Sequence, residues 1–368
     1  TLNLLSDDKP SVSSIELNEV TIAEDGSTST ITATISAAHS RNVKIPLTIT
    51  GTATDNTDYS TAFSSKGNSI VAGGSSSGNA LNQLYRSYGV AVDSSGNVYV
   101  ADNSNQRIMK WAPGATEGVS IITNVYAYGI HVDDSGNIYV SDHNRHRVLK
   151  YTLSDGSYTQ SIVAGNGSSG SAPNRLSYPT AIYVDGSNIY ISDLNNHRVL
   201  KWPEGASQGV VVAGGNTYGN ALNQLQNPYG VTVDSSGNVY VADYSNRRIM
   251  KWVPGATEGI SIITDVYAWG IHVDGSGNIY VSDHNRHRVL KYTLSDGSYS
   301  QSIVAGTGTQ GSALDQFNYP TGIHLDSSGN IYVADKENYR IIKVSLAPEI
   351  EIVAGSTTGA ITFKSITD

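Results

Sequence analysis

The chain alternates between short apolar runs and turn segments rich in Gly, Ser and Asn. The clearest unit is the stretch 93–102, with the sequence DSSGNVYVAD. Its first five residues favour a tight turn, and residues 98–101 supply the β-branched and aromatic run of a short buried strand. The same text returns, with small changes, at 133–142, 185–193, 234–243, 274–283 and 326–335. Six copies of one unit predict a repeat architecture.

Each copy belongs to a set of four predicted strands. In the first set these are 89–92, 97–100, 107–111 and 119–122. The fourth strands of all sets are predicted at 70–72, 119–122, 162–164, 210–213, 260–263 and 303–305. Six sets of four strands predict an all-β fold, a six-bladed β-propeller with four-stranded blades. Strand 70–72 comes first in the sequence, and we expect it to close the ring as the outer strand of the last blade.

A longer period is superposed on the blades. Residues 128–158 match 269–299 almost letter for letter, at an offset of 141. The propeller is therefore predicted to consist of two three-blade halves.

The repeats resemble the NHL-repeat family. The shared pattern is an apolar-Ala-Gly strand, an Asn-Gln-Leu loop, Tyr or Pro before a Gly-Val strand, then Asp-x-x-Gly-Asn-apolar-Tyr-Val-x-Asp and Asn-x-Arg-apolar-x-Lys. Residues 210–252 carry most of it, and the resemblance covers about 67–344. It implies the same six-bladed propeller.

Residues 1–65 lie outside the repeats and alternate like strands of a small sandwich. Asp7-Asp8, the stretch 23–26 and Thr57-Asp58-Tyr59 resemble the Calx-β domain, which is immunoglobulin-like. The continuation that this family would show after Tyr59 is found at 350–363 instead. We therefore predict a Calx-β-like sandwich (1–65 and 347–368) that is split by an inserted propeller (66–346).

The Calx-β resemblance implies a metal site and a setting. The acids on the positions of its calcium ligands are Asp7, Asp8, Glu24, Asp58 and Asp368. Hard oxygen ligands suit Ca²⁺, so calcium is the expected cofactor, with no organic cofactor. The resemblance also implies an extracellular or cell-surface location and neighbouring Calx-β-like domains as partners.

The negative net charge argues against nucleic acid and anionic membranes as partners. The formal net charge is −9, from 32 acidic and 23 basic residues. Nucleic acid and anionic membranes both reward a basic surface, so we expect neither nucleic-acid binding nor membrane insertion. The chain has no cysteine, which excludes disulfides and thiolate metal sites.

Each blade carries an Asp at the end of its second strand and an Arg five residues later, for example Asp102 and Arg107. One such pair per blade predicts a structural ion pair rather than a functional ring. Histidines are more selective, and His131, His272 and His324 share one position on the innermost strands. Some NHL enzymes, the peptide-amidating lyases, bind zinc through three channel histidines. We expect packing or water-bonded histidines here, with a zinc site as the alternative.

Loop lengths indicate where a ligand would bind. The loops from fourth to first strand are long at 73–87, 165–179, 214–228 and 306–320, but short at 123–127 and 264–268. The short loops precede opposite blades, which predicts a trough across one face. The ligand-binding residues predicted for its floor are Tyr126, Tyr128, His131, His143, Tyr267, Trp269, His272 and His284. Aromatic rings beside imidazoles suit sugar rings or an extended peptide.

Three functions fit these observations. The first is a non-enzymatic extracellular ligand-binding module of a large adhesin-like surface protein, with a glycan or peptide on the propeller face and no catalytic residue. The second is a channel-site enzyme of the NHL propeller type, a metal-dependent lyase or hydrolase. The third is an architectural spacer. The sequence favours the first.

Overall fold

A computed structural model describes residues 15–20, 31–35, 43–45, 67–74, 76–345, 350–352 and 360–363. The chain divides into two units, one comprising Gly67–Leu346 and the other comprising Thr1–Lys66 with Ala347–Asp368. Within the described ranges, the regular elements are β-strands and short 3-10 helices. No helix in these ranges is long and apolar enough to cross a membrane.

The larger unit consists of six antiparallel sheets of four strands each. The inner strands are Ser87–Val92, Ala127–Val132, Pro179–Asp185, Pro228–Val233, Ala268–Val273 and Pro320–Leu325. The second strands are Val98–Asp102, Ile138–Asp142, Asn188–Asp193, Val239–Asp243, Ile279–Asp283 and Ile331–Asp335. The predicted all-β, six-bladed propeller with four-stranded blades is confirmed.

Each second strand leads through a 3-10 turn into a third strand. The 3-10 helices are Asn103–Asn105, His143–Arg145, Leu194–Asn196, Tyr244–Asn246, His284–Arg286 and Lys336–Asn338. The third strands are Arg107–Trp111, Arg147–Ser154, Arg198–Pro203, Arg248–Trp252, Arg288–Ser295 and Arg340–Ser345. The outer strands of blades 1 to 5 are Val119–Thr123, Ser157–Ala164, Val210–Gly214, Ile260–Thr264 and Ser298–Ala305.

The outer strand of blade 6 comes from the other end of the propeller sequence. Gly67–Gly73 pairs with Arg340–Ser345, with Ala72 opposite Ile341. This pairing closes the ring as predicted, and it satisfies backbone groups that would otherwise form an open sheet edge.

The repeated DSSGN text forms the turn between inner and second strands. In blade 1 the Asp93 carboxylate accepts the backbone N–H groups of Ser95 and Asn97 at 3.0 and 2.9 Å, and Gly96 has a φ of +78°. An Asx-type turn with glycine at positive φ is what this residue order favours. The second strand that follows, Val98–Asp102, is buried at every position.

The core lies between neighbouring blades. Between blades 1 and 2, Tyr99 and Ile108 pack with Ile138 and Leu149, and each neighbouring pair of blades has an equivalent cluster. Each fully buried aliphatic or aromatic side chain contributes roughly 1.5–3 kcal/mol. The ring is therefore held together by six similar apolar interfaces.

The other unit is described only at five strands. Ile15–Val20 pairs with Ile31–Ile35, which pairs with Ala360–Phe363. Separately, Ile350–Ile352 pairs with Val43–Ile45. The predicted β-sandwich stays a prediction, because most of the residues assigned to it lie outside the described ranges.

Candidate functional site

The six Asp–Arg pairs have the structural role predicted for them. In blade 1, Arg107 Nε donates to Asp102 Oδ2 at 2.7 Å. Its terminal nitrogens Nη1 and Nη2 donate to three carbonyl oxygens of the preceding loop, at 2.7 to 3.0 Å. Arg198, Arg248 and Arg340 make equivalent bonds. In these four blades the guanidinium fastens the long loop to the ring.

Four aromatic rings meet where the inner strands begin. This aromatic cluster consists of Tyr88, Tyr128, Tyr229 and Trp269. Tyr88 stacks on Tyr128 at 4.0 Å between ring centroids, and Tyr229 stacks on Trp269 at 3.8 Å. Tyr88 and Trp269 are 5.9 Å apart with an interplanar angle of 18°. The two halves of the propeller therefore contribute matching pairs of rings that meet across the channel.

A histidine lies beside each half of the aromatic cluster. His143 stacks on Tyr128 at 3.8 Å, and His284 lies 4.6 Å from Trp269. Nδ1 of each imidazole is within 3.0 Å of a proline carbonyl oxygen, which only accepts, so Nδ1 carries the hydrogen. Burial lowers the pKa of both imidazoles to about 4. Both are neutral near pH 7.

A lysine lies over the aromatic cluster. Lys336 Nζ is 5.6 Å from the Tyr88 ring centroid and 6.0 Å from that of Trp269. It also forms an ion pair with Glu337 at 3.2 Å. The ammonium group of Lys336 therefore makes cation–π contacts with the aromatic cluster.

A second group of histidines lies at the other end of the inner strands. His131, His272 and His324 line a channel cavity of about 150 Å³, together with Tyr183 and Thr232, and the four rings of the aromatic cluster line the same cavity. The His272 and His324 ring centroids are 6.4 Å apart. Burial lowers the pKa of both to about 4, and it lowers the pKa of His131 too.

One hydroxyl in this cavity lacks a partner. Thr232 is 2% exposed, and its Oγ1 has no hydrogen-bond partner among the described residues. A buried hydroxyl without a partner is costly, so a polar group in the cavity would compensate it. The Thr232 hydroxyl therefore offers a bound molecule a hydrogen-bonding group in addition to the three imidazoles.

The structure brings together only some of the predicted trough residues. Tyr128 meets His143, and Trp269 meets His284. Tyr126 and Tyr267 lie beneath guanidinium groups, those of Arg145 and Arg286, at 5.1 and 5.5 Å. His131 and His272 pair with Tyr139 and Tyr280 near the opposite ends of their strands. They line the channel cavity that Tyr128 and Trp269 also line. The predicted ligand-binding role of this set stays a prediction.

Sequence reasoning missed three residues of the face. Tyr88 and Tyr229 occupy the same repeat position as Tyr128 and Trp269, so aligning all six blades at that position would have found them. Lys336 shares its position with His143 and His284, but its place above the rings follows from its side-chain conformation.

The sequence suggests a zinc site at the channel histidines and a calcium site outside the propeller, and the structure describes only the residues of the first. Among the described residues, no group of three His, Asp or Glu side chains is arranged to hold a metal ion. The trio His131, His272 and His324 therefore does not fit a three-histidine zinc site, whose ligand nitrogens converge at about 2.0 Å from the metal. The predicted calcium ligands Asp7, Asp8, Glu24, Asp58 and Asp368 lie outside the described residues.

A family model identifies the repeats. The NHL repeat model matches residues 89–111, 126–151, 225–252, 266–292 and 317–343, which lie in blades 1, 2, 4, 5 and 6. Five of the six blades contain NHL repeats. Blade 3 has the same strand order without a match of its own.

Solved structures share the NHL propeller's fold. A Bacteroides thetaiotaomicron protein of unknown function is 19% identical, with 75% of this chain and 74% of that chain covered and a TM-score of 0.62. A gluconolactonase from Xanthomonas campestris is 15% identical, with 71% and 86% covered and a TM-score of 0.54. A virginiamycin B lyase from Staphylococcus aureus is 13% identical, with 94% and 99% covered and a TM-score of 0.48. No curated protein matches the sequence.

The prediction of a non-enzymatic glycan- or peptide-binding module was wrong. The finding that overturns it is that a solved propeller similar in fold, the Xanthomonas campestris protein, is named as an enzyme. The sequence argument relied on aromatic side chains of the face, and the structure shows these rings stacked on one another in the aromatic cluster.

Proposed function

We propose that the NHL propeller is an enzyme, a hydrolase or lyase that acts in the central channel. The observation that carries this proposal is the set of three neutral imidazoles around one cavity, those of His131, His272 and His324. A neutral imidazole has one acceptor nitrogen, which can take a proton from water or from a substrate carbon. The unpartnered Thr232 hydroxyl supports the proposal, because it offers a hydrogen bond to a bound polar group.

The cavity bounds the size of the reacting group. Its volume is about 150 Å³, and an engineered apolar cavity of about that volume accepts a molecule the size of benzene. A single sugar-sized ring, or one end of a longer molecule, is therefore the expected occupant. Because the imidazoles do not converge as metal ligands, their proposed task is proton transfer.

Aldonolactones are the first substrates to test, since a propeller of this fold is named as a gluconolactonase. Lactone hydrolysis releases a proton and is followed at constant pH by titration. We expect His272→Gln and His324→Gln each to lower kcat by about 10² or more, the usual contribution of a positioned acid–base group. The matched control is His197→Gln, since His197 lies in a 3-10 turn outside the cavity.

Two results contradict this proposal. The proposal is wrong if the wild-type protein shows neither lactone hydrolysis nor lyase activity. Activity that is unchanged in both His272→Gln and His324→Gln shows that the active site lies outside the channel.

We further propose that 1–65 and 347–368 form one Calx-β-like sandwich into which the propeller is inserted, in an extracellular or cell-surface protein. Strand pairing supports this, because Val43–Ile45 and Ile31–Ile35 pair with strands that follow the propeller in the sequence. Calcium at Asp7, Asp8, Glu24, Asp58 and Asp368 is part of the proposal. Bound calcium should raise the melting temperature by mass action.

The calcium proposal is tested by thermal unfolding of the full chain in EDTA and in millimolar calcium. We expect an unfolding transition that shifts upward with calcium and loses this shift in Asp58→Asn. A transition that is the same in both buffers contradicts the proposal.

A further inference from the structure

Two of the six blade arginines differ from the others in what they bind. Arg147 in blade 2 and Arg288 in blade 5 keep the bond from Nε to their aspartate, at 2.9 Å. Their loops are the short ones, 124–126 and 265–267, and these loops bring no carbonyl oxygen to the terminal nitrogens. Within residues 76–345, Nη1 and Nη2 of both arginines have no hydrogen-bond partner.

Exposure follows the same division. The side chains of Arg147 and Arg288 are 21% and 19% exposed, whereas the four loop-bound arginines are 6–9% exposed. Carbonyl oxygens accept from Nη1 and Nη2 in the other four blades, whereas the two short-loop blades leave the same donors without a protein acceptor. An unoccupied guanidinium edge is a ready binding site for a planar anion.

A second arginine accompanies each of these sites. Where the other blades have an asparagine bonded to the aspartate, blades 2 and 5 have Arg145 and Arg286. Arg145 Nη1 lies 3.5 Å from Asp142 Oδ2, so two guanidinium groups share one buried carboxylate. The donors of Arg145 are directed at the backbone and side-chain oxygens of Asn124, both at 2.6 Å.

The two sites differ in charge at two residues. Beside the blade 5 site, Arg247 takes the place that Gln106 has beside the blade 2 site, and its Nη1 lies 3.7 Å from Asp265 Oδ1. In blade 5, Asp265 takes the place of Asn124, and both of its carboxylate oxygens accept from Arg286 at 2.9 Å. With Arg247 included, both sites carry one excess positive charge. In blade 2 the loop residue Asn124 is neutral, so no loop carboxylate competes with an anionic ligand for the arginine donors. Blade 2 is therefore the better candidate for an anion site.

We propose that the pocket formed by Arg145 and Arg147 in blade 2 binds a carboxylate group of a ligand. A carboxylate offers two oxygens in the plane of Nη1 and Nη2 and the charge that the pocket lacks. The pocket lies beside the short loop 124–126, at the opposite end of the blade from the channel histidine His131, so the proposal does not depend on the proposed enzymatic activity.

The test uses calorimetric titration of the full chain with succinate and, separately, with the peptide acetyl-Gly-Glu-Gly-amide. Succinamide serves as the neutral probe of the same shape. We expect the wild type to bind at least one carboxylate probe and not succinamide. Preference for succinate indicates a small acid as the ligand, and preference for the peptide indicates an acidic side chain.

Substitutions that copy the twin blade keep the fold intact. Asn124→Asp introduces the residue that blade 5 already carries, and we expect it to weaken carboxylate binding about fivefold to tenfold, as one added charge nearby implies. Asp265→Asn removes the loop carboxylate from blade 5, and we expect a second carboxylate site to appear there, with Arg247 adding to its positive charge. Arg147→Lys keeps the charge but removes the planar pair of donors, and it should weaken binding as well.

The matched control is Arg107→Lys, since the terminal nitrogens of Arg107 are occupied by its own loop. It should lower stability and leave carboxylate binding unchanged. Absence of carboxylate binding to the wild type overturns the proposal, and so does equal binding of succinamide or unchanged affinity in Asn124→Asp.

Discussion

At the scale of single residues, the aspartate that ends each second strand organises its blade. Asp243 is fully buried and accepts hydrogen bonds from the Gln226 backbone N–H, from Asn246 and from Arg248, at 2.7 to 2.8 Å. One carboxylate thus joins a loop, a 3-10 turn and the next strand. Its negative charge is stable inside the protein because a guanidinium and two further donors surround it.

We expect Asp243→Asn to lower the free energy of unfolding by about 3 kcal/mol, because the buried guanidinium then lacks its counter-charge. The control is Asp296→Asn, at an exposed turn residue with a φ of +50°, which asparagine adopts readily. Urea denaturation measures both. A loss of under 1 kcal/mol at Asp243 contradicts a central role for the pair.

At the scale of elements, the inner strands approach each other closely at one position, which is a glycine in five of the six blades. A Cβ on Gly230 would lie 2.6 Å from the Trp269 carbonyl oxygen, and one on Gly89 would lie 2.5 Å from that of Tyr128. Blade 3 has Ala181 at this position, so its inner strand accommodates a Cβ there. The width of the channel is therefore fixed by backbone contacts between blades.

Gly230→Ala should cost about 1–3 kcal/mol, since the added methyl group forces neighbouring inner strands apart. Gly275→Ala is the matched control, because a Cβ there meets nothing within 4 Å. Thermal unfolding of the two variants checks the difference. Equal stability of both would show that the ring widens freely.

Much of this element structure follows from the sequence. The DSSGN turn, the apolar run after it and the Asp–Arg spacing predicted the blades, because each depends on neighbours in the sequence. The stacking of Tyr88 with Tyr128, and of Tyr229 with Trp269, depends on how the side chains of neighbouring blades are oriented at the channel. The open donors of Arg147 depend on how the short loops fold, which spacing does not specify.

At the scale of the whole molecule, buried histidines couple stability to pH. The pKa values of His143, His272, His284 and His324 are lowered from 6.5 to about 4, chiefly by burial. The folded state therefore favours the neutral imidazole more strongly than the unfolded state does. Stability from this source is complete above pH 6.5 and is lost as the pH falls from 6.5 towards 4.

We expect the free energy of unfolding to fall across that interval by about 1–3 kcal/mol for each buried histidine. Urea denaturation at several pH values between 4 and 8 measures the slope. The double variant His143→Gln, His284→Gln should flatten it. A stability that is constant or that rises towards pH 4 contradicts the lowered pKa values.

The closing strand makes the propeller equivalent to two complementary fragments on one chain. Gly73 faces Arg340 in blade 6 in the same register as Gly214 faces Arg198 in blade 3. Each half thus begins with the strand that the other half lacks. A fragment of residues 208–345, expressed alone, begins with an outer strand that has no blade of its own and ends with a blade that lacks its outer strand. The first strand of one copy can therefore complete the last blade of another copy. Two copies should assemble into a closed homodimeric ring with a twofold axis. Light scattering after gel filtration would give twice the fragment mass, whereas a monomeric fragment would show that the two junctions are not interchangeable.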